Sequence, residues 1–394
     1  MINYADRASL GVVSPDLRRD FGMSESDYGQ VVAIFMAAYA LMYAGSGPII
    51  DRLGVRRGYA VFIVGWSVAQ MAHGFAIGKW SLAACRFALG FFEPGNWPAA
   101  TKAVREWFRP EERALGVGLF NAGSSIGSAI APPVVTYLAF NYGWRNAFTW
   151  MGAIGLVWLA VWWFVYETPK DYREEPRARR TPVLDVWRAR PSWTIFIARF
   201  FTDPVIYFMI FWLPEYLRKE RGYSASEVGH YAWVPFLFGD IGYTLGGWLS
   251  GRLMCAGWPL PKARKFVLLL GAALMPAALY APFAPTAGIA IAMTCFVTFG
   301  HAFWISNLLT IPADIFHPDD VGTAAGFTGT GGALGGMLAN LGTGYLVSSF
   351  SYTPVFILAG LMHPLAVTIV FKLLPDRYFN ETVTEPRPRG SGGA

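Results

Sequence analysis

The chain has 394 residues, 54% of them hydrophobic and only 15% charged, with 43 glycines and 16 tryptophans. So apolar a composition lies outside the range of soluble domains and makes lipid the solvent. The formal net charge of +6 gathers in loops, where it records membrane orientation rather than a nucleic-acid footprint, and Cys85, Cys255 and Cys295 show neither paired nor metal-ligand spacing, so no disulfide, metal site or bound cofactor is expected.

Met1 to Leu17 opens on polar Asn3-Tyr4-Ala5-Asp6-Arg7 and reads as the second half of a span. No apolar half precedes Asn3, so the first helix is expected to be truncated at its N-terminus. Eleven complete spans follow, at 28–50, 58–77, 80–107, 112–140, 143–166, 191–217, 225–251, 264–281, 286–312, 323–349 and 352–374, each near the roughly 20 apolar residues a crossing needs. Most Lys and Arg residues fall in the loops after even-numbered spans or in the tail, so those loops are expected to face the cytoplasm.

The longest polar connection holds Arg173, Arg177, Arg179 and Arg180 beside Pro169, Pro176 and Pro182. It divides the chain into a six-helix bundle at 1–166, a linker at 167–190, a second bundle at 191–374 and a disordered tail at 375–394. The halves repeat each other. Gly22, Ser24, Ser26, Gly29, Gly47, Arg52 and Leu53 recur as Gly222, Ser224, Ser226, Gly229, Gly247, Arg252 and Leu253, and Phe108, Pro110, Gly118, Gly123 and Gly127 recur as Phe316, Pro318, Gly326, Gly331 and Gly335. Two homologous bundles around a midplane site are the architecture of alternating-access carriers. The expected fold is therefore all-α, with pseudo-two-fold symmetry.

Between the second and third spans stands Gly47-Pro-Ile-Ile-Asp51-Arg52-Leu-Gly54-Val-Arg56-Arg57. It resembles the GxxxDRxGxRR signature of the major facilitator superfamily. Glycine lets helix ends approach, Asp51 can accept hydrogen bonds from a facing helix terminus, and the arginines anchor the turn. The motif is expected to gate rather than to touch substrate. Its counterpart in the second half has Gly251 in place of an acid before Arg252. Gly123-Ser124-Ser125-Ile126-Gly127 fits the hydrolase pattern GxSxG, but an apolar span lacks the strand that precedes a nucleophile elbow. Close helix packing is the better reading there, and for Gly326 to Gly336.

Charges inside spans cost roughly 2.5–3.5 kcal/mol each on insertion scales and are functional by default unless paired. Asp6 and Arg7 lie on the first span, Arg86 and Glu93 on the fourth, Arg199 and Asp203 on the seventh and Asp240 on the eighth. Arg86 and Glu93 share a face but stand about 10 Å apart along the axis, so each needs a partner elsewhere, and Asp6 and Arg7 are the available complement. A buried network that merely fixes helix register is the alternative. Asn96 and Trp97 follow Glu93 at helical spacing and suit sugar hydroxyls and a ring face, as do Tyr4 and Tyr39, although membrane aromatics also simply pack. Glu93 and Asp203 each precede a proline that frees a backbone carbonyl. Arg199 and Asp203, four apart, either contribute to the site or form a local ion pair. His301 and Asp240 read as network or packing residues.

The strings Asn3-Tyr4-Ala5-Asp6-Arg7, Phe92-Glu93-Pro94-Gly95-Asn96-Trp97-Pro98, Trp107-Phe108 through Glu112-Arg113-Ala114, and Arg199-Phe200-Phe201-Thr202-Asp203-Pro204 resemble the anion:cation symporter family within that superfamily, most of all its bacterial hexuronate branch. The resemblance implies proton-coupled uptake of glucuronate, galacturonate or a similar acid across an inner membrane by a monomer. It places proton transfer on Asp6 and Glu93, and carboxylate binding or charge balance on Arg7 and Arg86. Arg199 stands where related galactonate carriers have an amide. The expected partners are a small organic anion, a proton and the bilayer, and no nucleic acid. The rivals are a carrier of another carboxylate (an aldonate, aldarate or monocarboxylate), an exporter or drug antiporter, and a membrane sensor or scaffold. An enzyme is the weakest, for no nucleophile–base–orienter set appears.

Overall fold

A computed structural model describes residues 2–169 and 181–380. Among these, twelve helical segments follow one another, numbered here as helices one to twelve. Helix one comprises Ile2–Val12 and Ser14–Phe21, and helices two and three form one run, Glu25–Ala72. The fourth comprises Lys79–Phe92, Glu93–Gly95 and Asn96–Trp107, the fifth is Pro110–Tyr142 and the sixth Trp144–Val165. The seventh is Arg190–Lys219, the eighth Ala225–Tyr231 with Val234–Cys255, and the ninth Leu260–Leu274 with Ala277–Tyr280 and Ala281–Phe283. The tenth is Ala287–Leu308 with Ile311–Ile315, the eleventh Val321–Ser349 and the twelfth Thr353–Leu373. Among the described residues, six helical stretches are long and apolar enough to cross a membrane, one of them, Ser26–Phe75, long enough to do so twice. Among the linker's described residues a helix runs at Val183–Arg188; Arg173, Arg177, Arg179, Arg180 and the tail beyond 380 lie outside the described residues.

The sequence repeat is a repeat of local physics. Gly22 and Gly222 both take left-handed backbone, at φ 60° and 70°, and each is followed by a capping box, Ser24 with Asp27 and Ser224 with Glu227. Each box satisfies backbone donors that the start of a helix would leave orphaned. The interface between halves repeats too. A Cβ on Gly326 would lie 2.5 Å from the Tyr43 carbonyl, and one on Gly118 would lie 2.3 Å from the Tyr243 carbonyl. Helix two crosses helix eleven just as helix eight crosses helix five, with glycine as the point of backbone approach.

Helices two and three turn at Gly54, at φ 74° and ψ 164° inside an otherwise helical run. The fourth helix breaks at Glu93-Pro94-Gly95 into a single 3₁₀ turn, because Pro94 cannot donate to the helical ladder. The GxSxG string lies inside the fifth helix, which removes the hydrolase context. The pattern of burial is inverted relative to a soluble protein. Phe140, Phe164 and Ile77 are exposed on the chain's outside, while Asp6, Arg86, Glu93, Arg199, Asp203 and His301 are buried. Lipid satisfies the first group, and only other protein groups can satisfy the second.

Candidate functional site

The first and fourth helices bring four buried or half-buried ions together. Arg7 Nε donates to Glu93 Oε1 at 3.0 Å, with side-chain exposures of 25% and 0%. Asp6 lies within electrostatic reach of Arg86, Arg7 and Glu93. Neither carboxylate oxygen of Asp6, nor Oε2 of Glu93, nor Nε and Nη2 of Arg86 is hydrogen-bonded to a described residue. Two acids and two guanidiniums thus balance in charge while keeping spare hydrogen-bonding capacity, which a purely structural network would fill.

Aromatic rings floor this cluster. The Arg7 guanidinium stands 4.5 Å over the Tyr39 ring and 5.7 Å from that of Phe35, and Arg86 lies 5.8 Å from the same Phe35 ring. Trp97 Nε1 donates to the Tyr39 hydroxyl at 2.9 Å. Tyr4 is on the first helix, but its side chain lies outside the described part of the structure. Asn96 is not brought to this face: its Oδ1 accepts from the Tyr59 hydroxyl at 2.7 Å, against the third helix. The Tyr59 hydroxyl satisfies that amide oxygen in a span where an unpaired buried polar group is costly, and so holds Asn96 on the third-helix side.

Across the pseudo-symmetry axis, Arg199 clasps Asp203 within the seventh helix, with Nη2 at 2.8 Å and Nε at 3.1 Å from the same Oδ2. The local ion pair was one of the two readings open for these residues. The Arg199 guanidinium also faces Tyr43, 5.6 Å from its ring centroid. Tyr39 and Tyr43 meet edge to face at 5.5 Å. A ladder therefore joins the halves, from Glu93 and Arg7 through Tyr39 and Tyr43 to Arg199 and Asp203. Sequence reasoning missed Tyr43; its signal was the spacing of four from Tyr39. His301 bonds His363 of the twelfth helix at 3.2 Å, and Asp240 is half-buried on the eighth.

Below this ladder the halves are locked. Asp51 accepts from Gly322 N at 3.0 Å, from Thr323 N at 2.6 Å and Oγ1 at 2.7 Å, and from Lys102 Nζ at 3.0 Å. The carboxylate thereby caps the eleventh helix, where the macrodipole favours negative charge. A Cβ on Gly47 would stand 2.1 Å from the Gly322 carbonyl oxygen. Arg56 donates to the Trp163 carbonyl at 2.6 Å and fastens the turn to the sixth helix, while Arg52 and Arg57 are exposed. A second latch was not read from sequence. Arg113 reaches from the fifth helix to Asp314 at 3.1 Å, and Arg264 bonds the same carboxylate at 2.9 Å and the Pro110 carbonyl at 2.8 Å. Between the ladder and this gate end remains a void of about 10 Å³ beside Tyr43, Trp97, Thr101 and Arg199, about one water probe in size. The chain is closed at the gate end.

The Major Facilitator Superfamily profile matches residues 1–340 and again 263–392. The hexuronate transporter of Escherichia coli strain K12 is 32% identical over 99% of this chain and 95% of its own length. The galacturonate transporter of Dickeya chrysanthemi is 33% identical over 70% of this chain and 85% of its own. Among solved structures, the proton:xylose symporter XylE shares the fold at a TM-score of 0.76 and 15% identity, over 95% of this chain and 93% of that one. These relatives are transporters, not enzymes, and the chain is an integral membrane protein that belongs to the major facilitator superfamily.

Proposed function

We propose that the chain imports a sugar carboxylate, a hexuronate or a close relative, together with a proton by alternating access. The observation that carries this reading is the Arg7–Glu93 pair, a partly exposed guanidinium on an aromatic floor held by a fully buried carboxylate. An incoming carboxylate competes with Glu93 for Arg7, whose planar fork suits bidentate recognition and keeps its charge. Glu93, left without its counter-ion in a water-poor site, accepts the co-transported proton, because a lone buried charge costs far more than a neutral acid. Asp6 is the second proton carrier, and Arg86 the cation that either acid can turn to. Tyr39 and Trp97, with Tyr4, receive the sugar ring.

Arg199 is engaged by Asp203, which leaves Arg7 as the principal carboxylate clamp. That favours acids with one carboxylate over aldarates with two. The family resemblance of the hexuronate and galacturonate transporters supports the same class. The basic loops make the gate end cytoplasmic, so the closed gate corresponds to the outward-facing half of the cycle of a monomer in a bacterial inner membrane.

The test is counterflow of labelled glucuronate in proteoliposomes holding the purified chain, competed by galacturonate, galactonate, galactarate, glucose and a lipophilic cation. Sugar monocarboxylates should compete, and glucose and the cation should not. Equal competition by glucose would remove the carboxylate from the recognition rule. Binding without turnover would make the protein a sensor.

A further inference from the structure

We propose that a cleft between the ninth and twelfth helices at the gate end is a binding site for an anionic phospholipid of the surrounding bilayer. The cleft has a volume of about 490 Å³ and is lined by Trp258, Lys262, Lys265 and Asp376 together with Phe266, Leu269 and Phe371. The inference needs only membrane insertion and is independent of the transported substrate.

The ninth helix sorts its side chains by depth. Lys262, Lys265, Phe266 and Leu269 follow the spacing of one helical face, and from Lys262 to Leu269 the axis descends about 10 Å. That face runs from ammonium groups to apolar side chains over the distance in which a bilayer passes from headgroup to acyl chain. Arg264, between the two lysines, points the other way. It is fully buried and bonds Asp314 and Ser250 inside the protein. The outward lysines are therefore not part of the latch.

Their charge is only partly met. Lys265 Nζ lies 2.5 Å from Asp376 Oδ1 and 5.8 Å from the Phe371 ring. Lys262 is exposed, stands 4.8 Å over the Trp258 ring, and has no carboxylate partner among the described residues. Trp258 packs on Phe266 with ring centroids 5.3 Å apart, placing an amphipathic indole at the mouth, the usual level of the aromatic belt. Two ammonium groups facing one carboxylate leave room for a phosphate. A zwitterionic headgroup would bring its own ammonium against them, so the site selects lipids whose headgroup carries net negative charge. The apolar wall below gives the acyl chain a place that a soluble phosphate ester would leave unused.

The test is native mass spectrometry of the purified full chain equilibrated with equal amounts of dioleoylphosphatidylglycerol and dioleoylphosphatidylcholine. Each lysine near an anionic surface is worth about fivefold in affinity. The wild type should retain the anionic lipid preferentially, Lys262→Gln should lose about fivefold of that preference, and Lys262→Gln/Lys265→Gln about thirtyfold. Lys219→Gln, at the exposed opposite end beside Glu215, should change nothing. Leu269→Trp keeps both lysines but fills the apolar half, and should also expel the lipid. Thermal unfolding checks that each variant is folded. The proposal is overturned if the wild type shows no headgroup preference, if the preference survives the double variant or Leu269→Trp, or if glycerol phosphate displaces the lipid at equal concentration.

Discussion

Replacing Glu93 with glutamine should separate substrate movement from proton movement. The Arg7–Glu93 contact is 3.0 Å long and its acid fully buried, and a hydrogen bond to a charged group contributes about 1.5–3 kcal/mol. Glutamine keeps an oxygen for Arg7 Nε but removes the charge, so about half of that is lost. A substrate carboxylate then has a weaker competitor for Arg7, and its affinity at neutral pH should rise about five- to tenfold. In the wild type, proton binding to Glu93 releases Arg7, so affinity should be full at low pH and fall by up to about tenfold per unit once Glu93 is ionised. In the variant that slope should vanish. One proton per substrate monoanion supports about tenfold accumulation per unit of pH gradient. The assay pairs pH-driven uptake with counterflow in proteoliposomes. The variant should exchange at a wild-type rate yet accumulate nothing. Uphill accumulation, or a wild-type pH slope in its affinity, would remove Glu93 from coupling and leave Asp6 to be tried.

Arg7→Lys keeps the charge but loses the fork and the flat contact with Tyr39; substrate binding, measured by calorimetry, should weaken at least about tenfold while the unfolding temperature is unchanged. Asp203→Asn strips Arg199 of its buried partner, which costs about 3–5 kcal/mol of stability. Thermal unfolding should show that loss, and the freed guanidinium should let galactarate compete in counterflow; if galactarate does not, Arg199 does not face the substrate. Gly47→Ala places a methyl 2.1 Å from the Gly322 carbonyl, so the gate should fail to close, with transport down more than about tenfold and substrate binding intact. Asp51→Asn removes the buried charge that Lys102 and the start of helix eleven share, again about 3–5 kcal/mol, enough to shift a two-state gate about a hundredfold or more toward its open form. Thiol labelling of cysteines introduced at the gate end would read that shift, and unchanged labelling would deny Asp51 a gating role.

What the sequence could and could not disclose follows from how far apart the interacting groups lie along the chain. The capping boxes at Ser24 and Ser224 and the break at Pro94 are local, so residue types at short spacing suffice to read them. The four ions on the first and fourth helices were legible for another reason. Charge in an apolar span is so costly that its members must find one another. Asn96 went astray because its amide oxygen is taken by the Tyr59 hydroxyl of the third helix, a partner too distant along the chain for helical spacing to announce. Sequence reasoning missed Lys102, which is 2% exposed and bonded to Asp51. The latch of Arg113, Asp314 and Arg264 was invisible as well, since charged residues near loops are ordinarily solvated, and Arg113 and Asp314 meet across about half the chain.

The second helix shows how site and gate are joined. Tyr39, Tyr43, Gly47 and Asp51 follow at intervals of four, a stripe that rises about 18 Å and drifts by about a third of a turn. Tyr39 supports Arg7, Tyr43 supports Arg199, Gly47 meets the Gly322 carbonyl and Asp51 caps helix eleven. The backbone stays helical through Pro48 and departs only at Gly54, beyond the gate. The eighth helix repeats the stripe as Tyr243, Gly247 and Gly251, but there the acid is gone. A Cβ on Gly251 would lie 2.4 Å from the Glu111 carbonyl, so this crossing has no room for a carboxylate. The acid stands instead at Asp314, the repeat equivalent of Glu106, where Arg264 and Arg113 hold it. One latch is thus an acid on a helix N-terminus and the other an ion triad, both bridging the halves at one end. A helix without a joint between Tyr39 and Asp51 moves as a body with its own bundle, so on the proposed rocking of the halves an opening gate would part Tyr43 from Arg199 while Tyr39 stays over Arg7. On that reading the tyrosine ladder from Arg7 to Arg199 breaks at Tyr43, the rung that spans the two halves.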